Sequence, residues 1–244
     1  MSSDLKLHKA YDYCKGENPK LTVIFIHGIS SDSTSFSKAF ECLRNASSME
    51  DVRLVAFDLL GAGKSLTSDE LDYNYDEQLL ALDNSISELD IRTPIVLVGH
   101  SMGTMIVSRY IGTHDLGVRN VILISAPVYT ESDLKNPVFM QGMEAFKNAV
   151  KQKSEEIFNG KCFNNELKNI VLNPDNYNYF VKLDLPTTII YGAKDGIIAS
   201  YNLPKIAKEN PNVKLCQTSD GHSVSSEKSE ILLKELEEIA SEIV

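Results

Sequence analysis

The sequence predicts an α/β protein built on a mostly parallel, doubly wound sheet. Continuous apolar runs without polar alternation, such as Leu21–Ile26, are typical of strands covered on both faces. These runs alternate along the chain with segments of helical periodicity, which is the order of elements in a doubly wound sheet. The length of 244 residues fits one α/β domain with an insertion.

The first half of the chain keeps this alternation. An edge strand is predicted from a loose alternation that meets the turn cluster Lys15–Pro19, and a helix from Phe36, Phe40 and Leu43 at helical spacing. In order, the predicted elements are an edge strand over 6–14, a strand over 21–26, a helix over 34–46, a strand over 52–57, a helix over 75–89, a strand over 95–98, a helix over 102–113 and a strand over 121–124.

The alternation breaks at about residue 129. Helical stretches rich in phenylalanine, tyrosine and methionine run to residue 184 with no intervening strand, which predicts a small helical cap inserted over the sheet. The sheet then resumes with a strand over 187–191, a helix over 203–208, a strand over 213–217 and a closing helix over 226–243. We therefore expect an α/β core of residues 1–128 and 185–244, with residues 129–184 as the cap or lid.

Composition excludes several classes of function. A net charge of -10 without a basic cluster argues against a nucleic-acid partner. No apolar run is long enough to span a bilayer, and the N-terminus lacks the pattern of a signal sequence, so we expect a cytoplasmic protein. The four cysteines lie far apart, with no histidine at ligand spacing, so neither a disulfide framework nor a metal site is expected.

A glycine-flanked serine follows the strand over 95–98. The segment Gly99-His100-Ser101-Met102-Gly103 has the Gly-x-Ser-x-Gly pattern of a nucleophile elbow, with a strand before it and a helix after it. Such a turn lifts one side chain above the sheet in a strained conformation, and bulky neighbours would collide with it. An ordinary strand-to-helix turn is the alternative interpretation, but the flanking elements favour a catalytic serine.

A serine nucleophile needs a base, and histidine has the suitable pKa. In a sheet of this kind the ligand site lies beyond the carboxyl ends of the strands. Of the five histidines, His222 follows the last predicted strand in a glycine-containing loop, where a mobile imidazole can reach Ser101. His8 lies near the N-terminus and His114 ends a helix, whereas His27 and His100 flank glycines and are expected to shape loops.

The histidine in turn needs an orienting carboxylate. Asp195 follows the strand over 187–191, and the order Ser101, Asp195, His222 is that of a triad mounted on this topology. Asp220 is the rival, but it is close to His222 along the chain and is more typical of a turn residue. The sequence therefore predicts Ser101, Asp195 and His222 as catalytic residues.

One segment resembles a phosphate-binding loop. Gly63-Lys64-Ser65 matches the end of that motif, but Asp58 occupies the position that requires glycine. Nucleotide binding is therefore disfavoured. We expect instead that the glycines of this segment allow a tightly turned loop near the site.

These motifs together resemble the α/β-hydrolase fold superfamily, over nearly the whole chain. The resemblance rests on His27-Gly28, the segment 58–65, the elbow, Gly192-Ala193-Lys194-Asp195 and Gly221-His222. It implies that the backbone N–H groups of Ile29 and Met102 form the oxyanion hole. The chain departs from the family pattern in that a single strand precedes 21–26, where a hairpin is usual, and in its short insertion, which suggests a partly open site.

The leading hypothesis is a serine esterase acting on a small or medium-sized carboxylic ester or thioester, without cofactor or metal. Candidate pocket residues in the cap are Phe139, Met143 and Phe146, although most of the cap's apolar residues are expected to pack against the sheet. The serine at the elbow argues against haloalkane dehalogenases and epoxide hydrolases, which carry an aspartate there. A ligand-binding regulator with a retained triad, an aminopeptidase, a lactonase and a carbon–carbon bond hydrolase remain alternatives.

Overall fold

A seven-stranded sheet is the centre of the computed structural model, which describes residues 4–114, 117–153 and 160–243. Its strands are β1 (His8–Tyr13), β2 (Leu21–Ile26), β3 (Val52–Asp58), β4 (Ile95–His100), β5 (Val118–Ile124), β6 (Thr187–Gly192) and β7 (Val213–Thr218). They are ordered β1-β3-β2-β4-β5-β6-β7, with β1 antiparallel to β3 and the other neighbours parallel. The predicted fold class, a mostly parallel doubly wound sheet, is confirmed.

Helices connect these strands. They are α1 (Ser37–Asn45), α2 (Tyr75–Ser87), α3 (Met102–Ile111), α4 (Glu131–Leu134), α5 (Pro137–Lys153), α6 (Gly160–Glu166), α7 (Asn176–Val181), α8 (Leu203–Glu209) and α9 (Ser226–Glu242). The helix predicted over 34–46 is divided, because a 3-10 turn over Ser33–Phe36, capped by the Asp32 side chain, precedes α1. Within the three described stretches of chain, no helix is both long and apolar enough to cross a membrane.

The two faces of the sheet carry separate apolar clusters. In β2, Val23 and Phe25 pack into the cluster that includes α1 and α9, whereas Ile24 and Ile26 pack into the one that includes α2, α3 and α8. Every residue of β2 is buried, since successive side chains enter opposite clusters. This explains the unbroken apolar run in the sequence.

In the described residues, the helices α4 to α7 lie between β5 and β6, and we call them the inserted helices. A π-helical turn over Leu167–Val171 joins α6 to the segment that leads to α7. Phe163 and Ile170 are buried in the same apolar cluster as Leu97 and Leu123 of the central strands. The inserted helices therefore share their core with the sheet, while residues 154–159 of the predicted cap lie outside the described residues.

The carboxyl ends of the parallel strands meet at one edge of the sheet. His27 follows β2, Ser101 follows β4, Asp195 lies three residues after β6 and His222 lies four residues after β7. Because β4 occupies the middle of the sheet, Ser101 stands at the centre of this edge. The sheet topology thus gathers the predicted site residues in one place.

Candidate active site

Ser101 occupies a strained turn between β4 and α3. Its φ of 52° lies in the left-handed region that non-glycine residues avoid. Its backbone N–H donates to the Ile124 carbonyl at 2.9 Å, which continues the β4–β5 pairing up to the serine. A Cβ on Gly99 would lie 2.7 Å from the Gly103 carbonyl carbon, and a Cβ on Gly103 would overlap the Ile26 carbonyl oxygen. Both glycines are therefore needed sterically for the turn.

Ser101, His222 and Asp195 form a continuous chain of hydrogen bonds. The Ser101 hydroxyl lies 2.9 Å from His222 Nε2, and His222 Nδ1 lies 2.8 Å from Asp195 Oδ2. Because Nδ1–H donates to the carboxylate, the Nε2 lone pair faces the serine. The Asp195 side chain is fully buried, while that of His222 remains 19% exposed. This arrangement can transfer a proton from the serine hydroxyl to the imidazole.

Asp195 is kept ionised despite its burial. Burial raises the pKa of the carboxyl, but the hydrogen bond and charge of His222 and two backbone donors outweigh it, so the pKa falls below its usual 3.8. The backbone donors are the N–H groups of Ile197 and Ile198, which lie 3.0 and 3.3 Å from Oδ1. An ionised carboxylate at this position can orient the imidazole and stabilise its protonated form.

Asp220 has other partners. Its carboxylate accepts hydrogen bonds from the hydroxyls of Thr218 and Ser225 and lies 3.2 Å from Lys228 Nζ. The geometry therefore brings Asp195, and not Asp220, against the His222 ring.

Two buried histidines support the loops around the site. His27 Nδ1–H donates to the Gly28 carbonyl at 2.8 Å, and its Nε2 accepts from the Leu59 N–H at 2.8 Å. His100 Nε2–H donates to the His222 carbonyl at 3.0 Å. Burial lowers the pKa of both rings, and with the nearby His222 it lowers that of His100 to about 3. Both are therefore neutral at physiological pH and shape loops, and His100 also ties the elbow to the His222 loop.

The other two histidines lie elsewhere. His8 is on the edge strand β1, and the His114 ring stacks on Tyr110, 3.8 Å from the Asp83 carboxylate. No group of three or more His, Cys, Asp or Glu side chains within residues 4–114, 117–153 and 160–243 is placed to hold a metal ion.

A pocket of about 190 Å³ opens onto Ser101. Phe146 and Val150 of α5 form part of its wall, and they share one face of the helix because they are four residues apart. The remaining lining residues are Gly28, Ile29, Ser30, Ser31, His100, Ser101 and His222. Among the residues that the structure describes, no lysine, arginine, aspartate or glutamate belongs to this lining.

The three candidate pocket residues of the predicted cap have different environments. Phe146 lines the pocket. The Phe139 ring packs edge-on against Tyr129 with 4.8 Å between centroids, and Met143 is buried in the apolar cluster shared with the sheet. Val150 was not among the predicted pocket residues, although its spacing of four from Phe146 on a helical pattern indicates that both lie on one face of the helix.

The two predicted oxyanion donors flank the serine. Ile29 lines the pocket, and Met102 is the first residue of α3. The N–H groups of a first helical turn have no partner within the helix and carry the positive end of its dipole. The Met102 N–H at the start of α3 therefore suits a developing negative charge, whereas Ile29 lies in the turn after β2.

The segment that resembles a phosphate-binding loop is occupied by its own carboxylate. Asp58 Oδ1 accepts from the Ser33 N–H at 3.0 Å, and Oδ2 accepts from the Lys64 N–H at 3.1 Å. Gly63 packs so closely that a Cβ on it would overlap the Asp58 carboxylate. This contact leaves no room for a phosphate between the loop and Asp58.

Comparisons with known proteins identify relatives. The chain is 26% identical over 211 residues to the non-heme chloroperoxidase CPO-A1 of Kitasatospora aureofaciens, a match that covers 72% of this chain and 74% of that protein. It is 31% identical over 109 residues to the probable lysophospholipase BODYGUARD 1 of Arabidopsis thaliana, which covers 44% of this chain and 23% of that protein.

Solved structures share the fold. The esterase EaEST of Exiguobacterium antarcticum superposes with a TM-score of 0.71 at 19% identity, and the match covers 95% of this chain and 94% of that one. At this identity the likeness shows the fold alone. The family model described as the alpha/beta hydrolase fold matches residues 22–170, which is more than half of the sequence. The chain therefore belongs to the alpha/beta hydrolase fold family.

Proposed function

We propose that this protein is a serine hydrolase that cleaves a small or medium-sized carboxylic ester or thioester through an acyl-enzyme. The observation that carries the proposal is the chain of hydrogen bonds from Ser101 through His222 to Asp195, with spacings of 2.9 and 2.8 Å. Its members have the roles of nucleophile, base and orienting carboxylate that acyl transfer requires.

In the first half of the reaction, the Ser101 oxygen attacks the carbonyl carbon of the ester while His222 Nε2 takes the hydroxyl proton. The tetrahedral intermediate then collapses, the bond to the alcohol or thiol breaks, and His222 returns the proton to that leaving group. Asp195 stabilises the imidazolium that forms between these two transfers. The product of this half is an ester between the acyl group and Ser101.

In the second half, water attacks the acyl-enzyme. His222 takes a proton from the water, and the bond between the acyl carbon and Ser101 Oγ breaks as the proton returns to the serine. The carboxylic acid leaves and the enzyme is restored. The exposed fraction of the His222 side chain, 19%, supports this step, because water can reach the ring.

We propose that the backbone N–H groups of Ile29 and Met102 bind the oxyanion in both tetrahedral intermediates. Fixed donors aimed at charge that develops only in the transition state lower the barrier by about 3 kcal/mol each. Ile29 lines the pocket and Met102 begins α3, which supports the assignment.

The pocket favours short acyl groups. Its volume of about 190 Å³ is below the roughly 300 Å³ at which pockets for drug-sized ligands begin. We propose that residues 129–184 act as a cap and that Phe146 and Val150 contact the acyl chain from α5. The part of the lining that the structure describes carries no Lys, Arg, Asp or Glu, which suits a neutral ester.

Labelling with a fluorophosphonate probe tests the nucleophile. The wild-type protein should react with one equivalent, whereas Ser101→Ala should not react. Ser223→Ala is the matched control, because this exposed serine lies beside His222 and contributes only its carbonyl to the loop contacts. Full labelling of Ser101→Ala would contradict the assignment.

Turnover distinguishes the enzyme from the alternatives. p-Nitrophenyl esters and thioesters of graded acyl length should be hydrolysed many times per protein molecule, fastest for short chains. A ligand-binding regulator would instead show a melting temperature raised by ligand with very slow turnover. Turnover on peptides or lactones but not on these esters would favour an aminopeptidase or a lactonase.

A further inference from the structure

Lys228 is a fully buried lysine in the first turn of α9. None of its side chain is exposed, and its ammonium lies 3.2 Å from Asp220 Oδ1. It also donates to the Ser223 carbonyl at 3.0 Å and to the Gly221 carbonyl. A buried ammonium is unfavourable unless its hydrogens and charge are compensated, and here three oxygen atoms surround it.

The two carbonyl contacts of Lys228 lie on either side of His222 along the chain. The carbonyls of Gly221 and Ser223, on either side of the histidine, accept hydrogen bonds from Lys228. The carbonyl of His222 itself accepts from His100 Nε2 at 3.0 Å. Three consecutive carbonyls of the loop are thus bound by side chains.

The loop is also attached to the strand end that carries Asp195. The Lys194 N–H donates to the Asp220 carbonyl at 2.8 Å. A Cβ on Gly192 would overlap that same carbonyl, so the two loops pack in direct contact. Lys228 completes this attachment. It pairs with the Asp220 carboxylate and donates to the carbonyls of Gly221 and Ser223.

A base at this position must meet two demands at once, since His222 has to reach Ser101 with one ring nitrogen and Asp195 with the other. A glycine precedes the histidine, and an unsupported loop of this composition samples many conformations. Fixing the carbonyls before and after His222 fixes the direction of its Cα–Cβ bond. With the backbone fixed, a single rotamer of the His222 side chain sets both its distance of 2.9 Å to Ser101 Oγ and its distance of 2.8 Å to Asp195 Oδ2.

We propose that Lys228 is a positioning residue that holds the His222 loop in its reactive geometry. This inference rests on the proposed function, because it assigns Lys228 a part in placing the base of that reaction. Lys228 lines no part of the pocket. Its loss therefore acts on kcat and leaves KM nearly unchanged, whereas a residue that shapes the pocket would change KM.

The test compares Lys228→Met with Lys234→Met, a matched control on the same helix whose side chain is 73% exposed. Melting curves identify a temperature at which every variant is folded, and kcat, KM and the rate of fluorophosphonate labelling are measured there. We expect Lys228→Met to lower kcat and the labelling rate about 100-fold, as small misplacements of reacting groups do. Lys234→Met should match the wild type.

Each outcome has a defined meaning. Wild-type kcat and labelling rate in folded Lys228→Met, with or without a lower melting temperature, would overturn the inference while leaving the proposed function intact. If the wild-type protein itself is neither labelled nor active, both proposals fail. If Lys228→Met does not fold, Lys228→Gln replaces it, since its amide can still donate to one carbonyl. An intermediate loss of kcat at unchanged KM then supports the inference, and wild-type kcat overturns it.

Discussion

Replacing Glu166 with glutamine should remove a pH-dependent loss of stability. Glu166 ends α6, and its buried side chain accepts a hydrogen bond from Gln78 Nε2 at 3.1 Å, next to the Cys162 thiol. Burial raises the pKa of its carboxyl from 4.5 to about 8, because both of these neighbours are neutral and offset little of the desolvation. In the folded protein the side chain is therefore a neutral acid at pH 7.

The sign of the effect follows from proton linkage. Below pH 4.5 the carboxyl is protonated in the folded and unfolded states alike, and the full stability is present. As the pH rises towards 8, the unfolded chain has released the proton and the folded protein retains it, so the free energy of unfolding decreases by about 1.4 kcal/mol per pH unit. Above the folded pKa the loss is complete.

The window from pH 6.5 to 8 isolates this group. The buried His27 and His100, whose folded pKa values lie below 6.5, are present in the wild type and in the Glu166 variant alike, so their contributions cancel when the two proteins are compared. Across this window Glu166 should destabilise the wild-type protein by about 2 kcal/mol. For a chain of this size that corresponds to a fall in melting temperature of about 4–8 °C.

The assay is thermal unfolding of the wild-type protein, Glu166→Gln and Glu144→Gln at pH 6.5, 7.2 and 8. Glutamine is neutral at every pH, and its carbonyl can accept the same bond from Gln78. The melting temperature of Glu166→Gln should therefore rise relative to wild type as the pH increases. Glu144, on α5 and 66% exposed, is the control and should follow wild type. Parallel curves for wild type and Glu166→Gln would refute a neutral Glu166.

Two further predictions concern the site. Asp195→Asn should lower kcat on the order of 10³- to 10⁴-fold, because the amide favours the wrong histidine tautomer. Asp220→Asn should have a far smaller effect. Steady-state kinetics on one ester measures both variants, and the reverse ranking would transfer the orienting role to Asp220. Phe146→Ala should raise the ratio of kcat/KM for hexanoyl over acetyl esters severalfold, since each buried methylene contributes about 0.8 kcal/mol. The Phe139 ring packs on Tyr129, so Phe139→Ala should leave that ratio unchanged. An equal change in both variants would contradict the assigned pocket wall.

The sheet was predictable because its signals are local. The run Leu21–Ile26 is buried at every position, as its composition requires, and the strand has the predicted bounds. The turn at Ser101 was equally predictable from the sequence. Only glycine fits at positions 99 and 103, because a Cβ at either would clash with the backbone around the strained Ser101. Element ends were less predictable, because caps decide them. Asp32 begins a 3-10 turn where uniform helix was expected.

The contacts that hold the site together were not predictable, because they depend on which residues the fold brings together. A lysine in an acidic, helical stretch is ordinarily exposed, yet Lys228 is fully buried under the loop of His222. That loop, from which a mobile imidazole was predicted to reach Ser101, has three consecutive carbonyls bound by side chains. Which of Phe139, Met143 and Phe146 lines the pocket also depends on how α5 is rotated about its axis, and periodicity alone does not fix that rotation.

The apolar cluster shared by the inserted helices and the sheet limits how this chain can be recombined. Phe163 and Ile170 belong to the same buried apolar cluster as Leu97 and Leu123. A graft that exchanged residues 129–184 for the corresponding segment of a relative would need matching side chains at these positions, or it would open a cavity in the centre of the protein. Residues 129–184 are thus contiguous in the sequence but share a core with the sheet, and a transplanted segment would have to carry its buried residues with it.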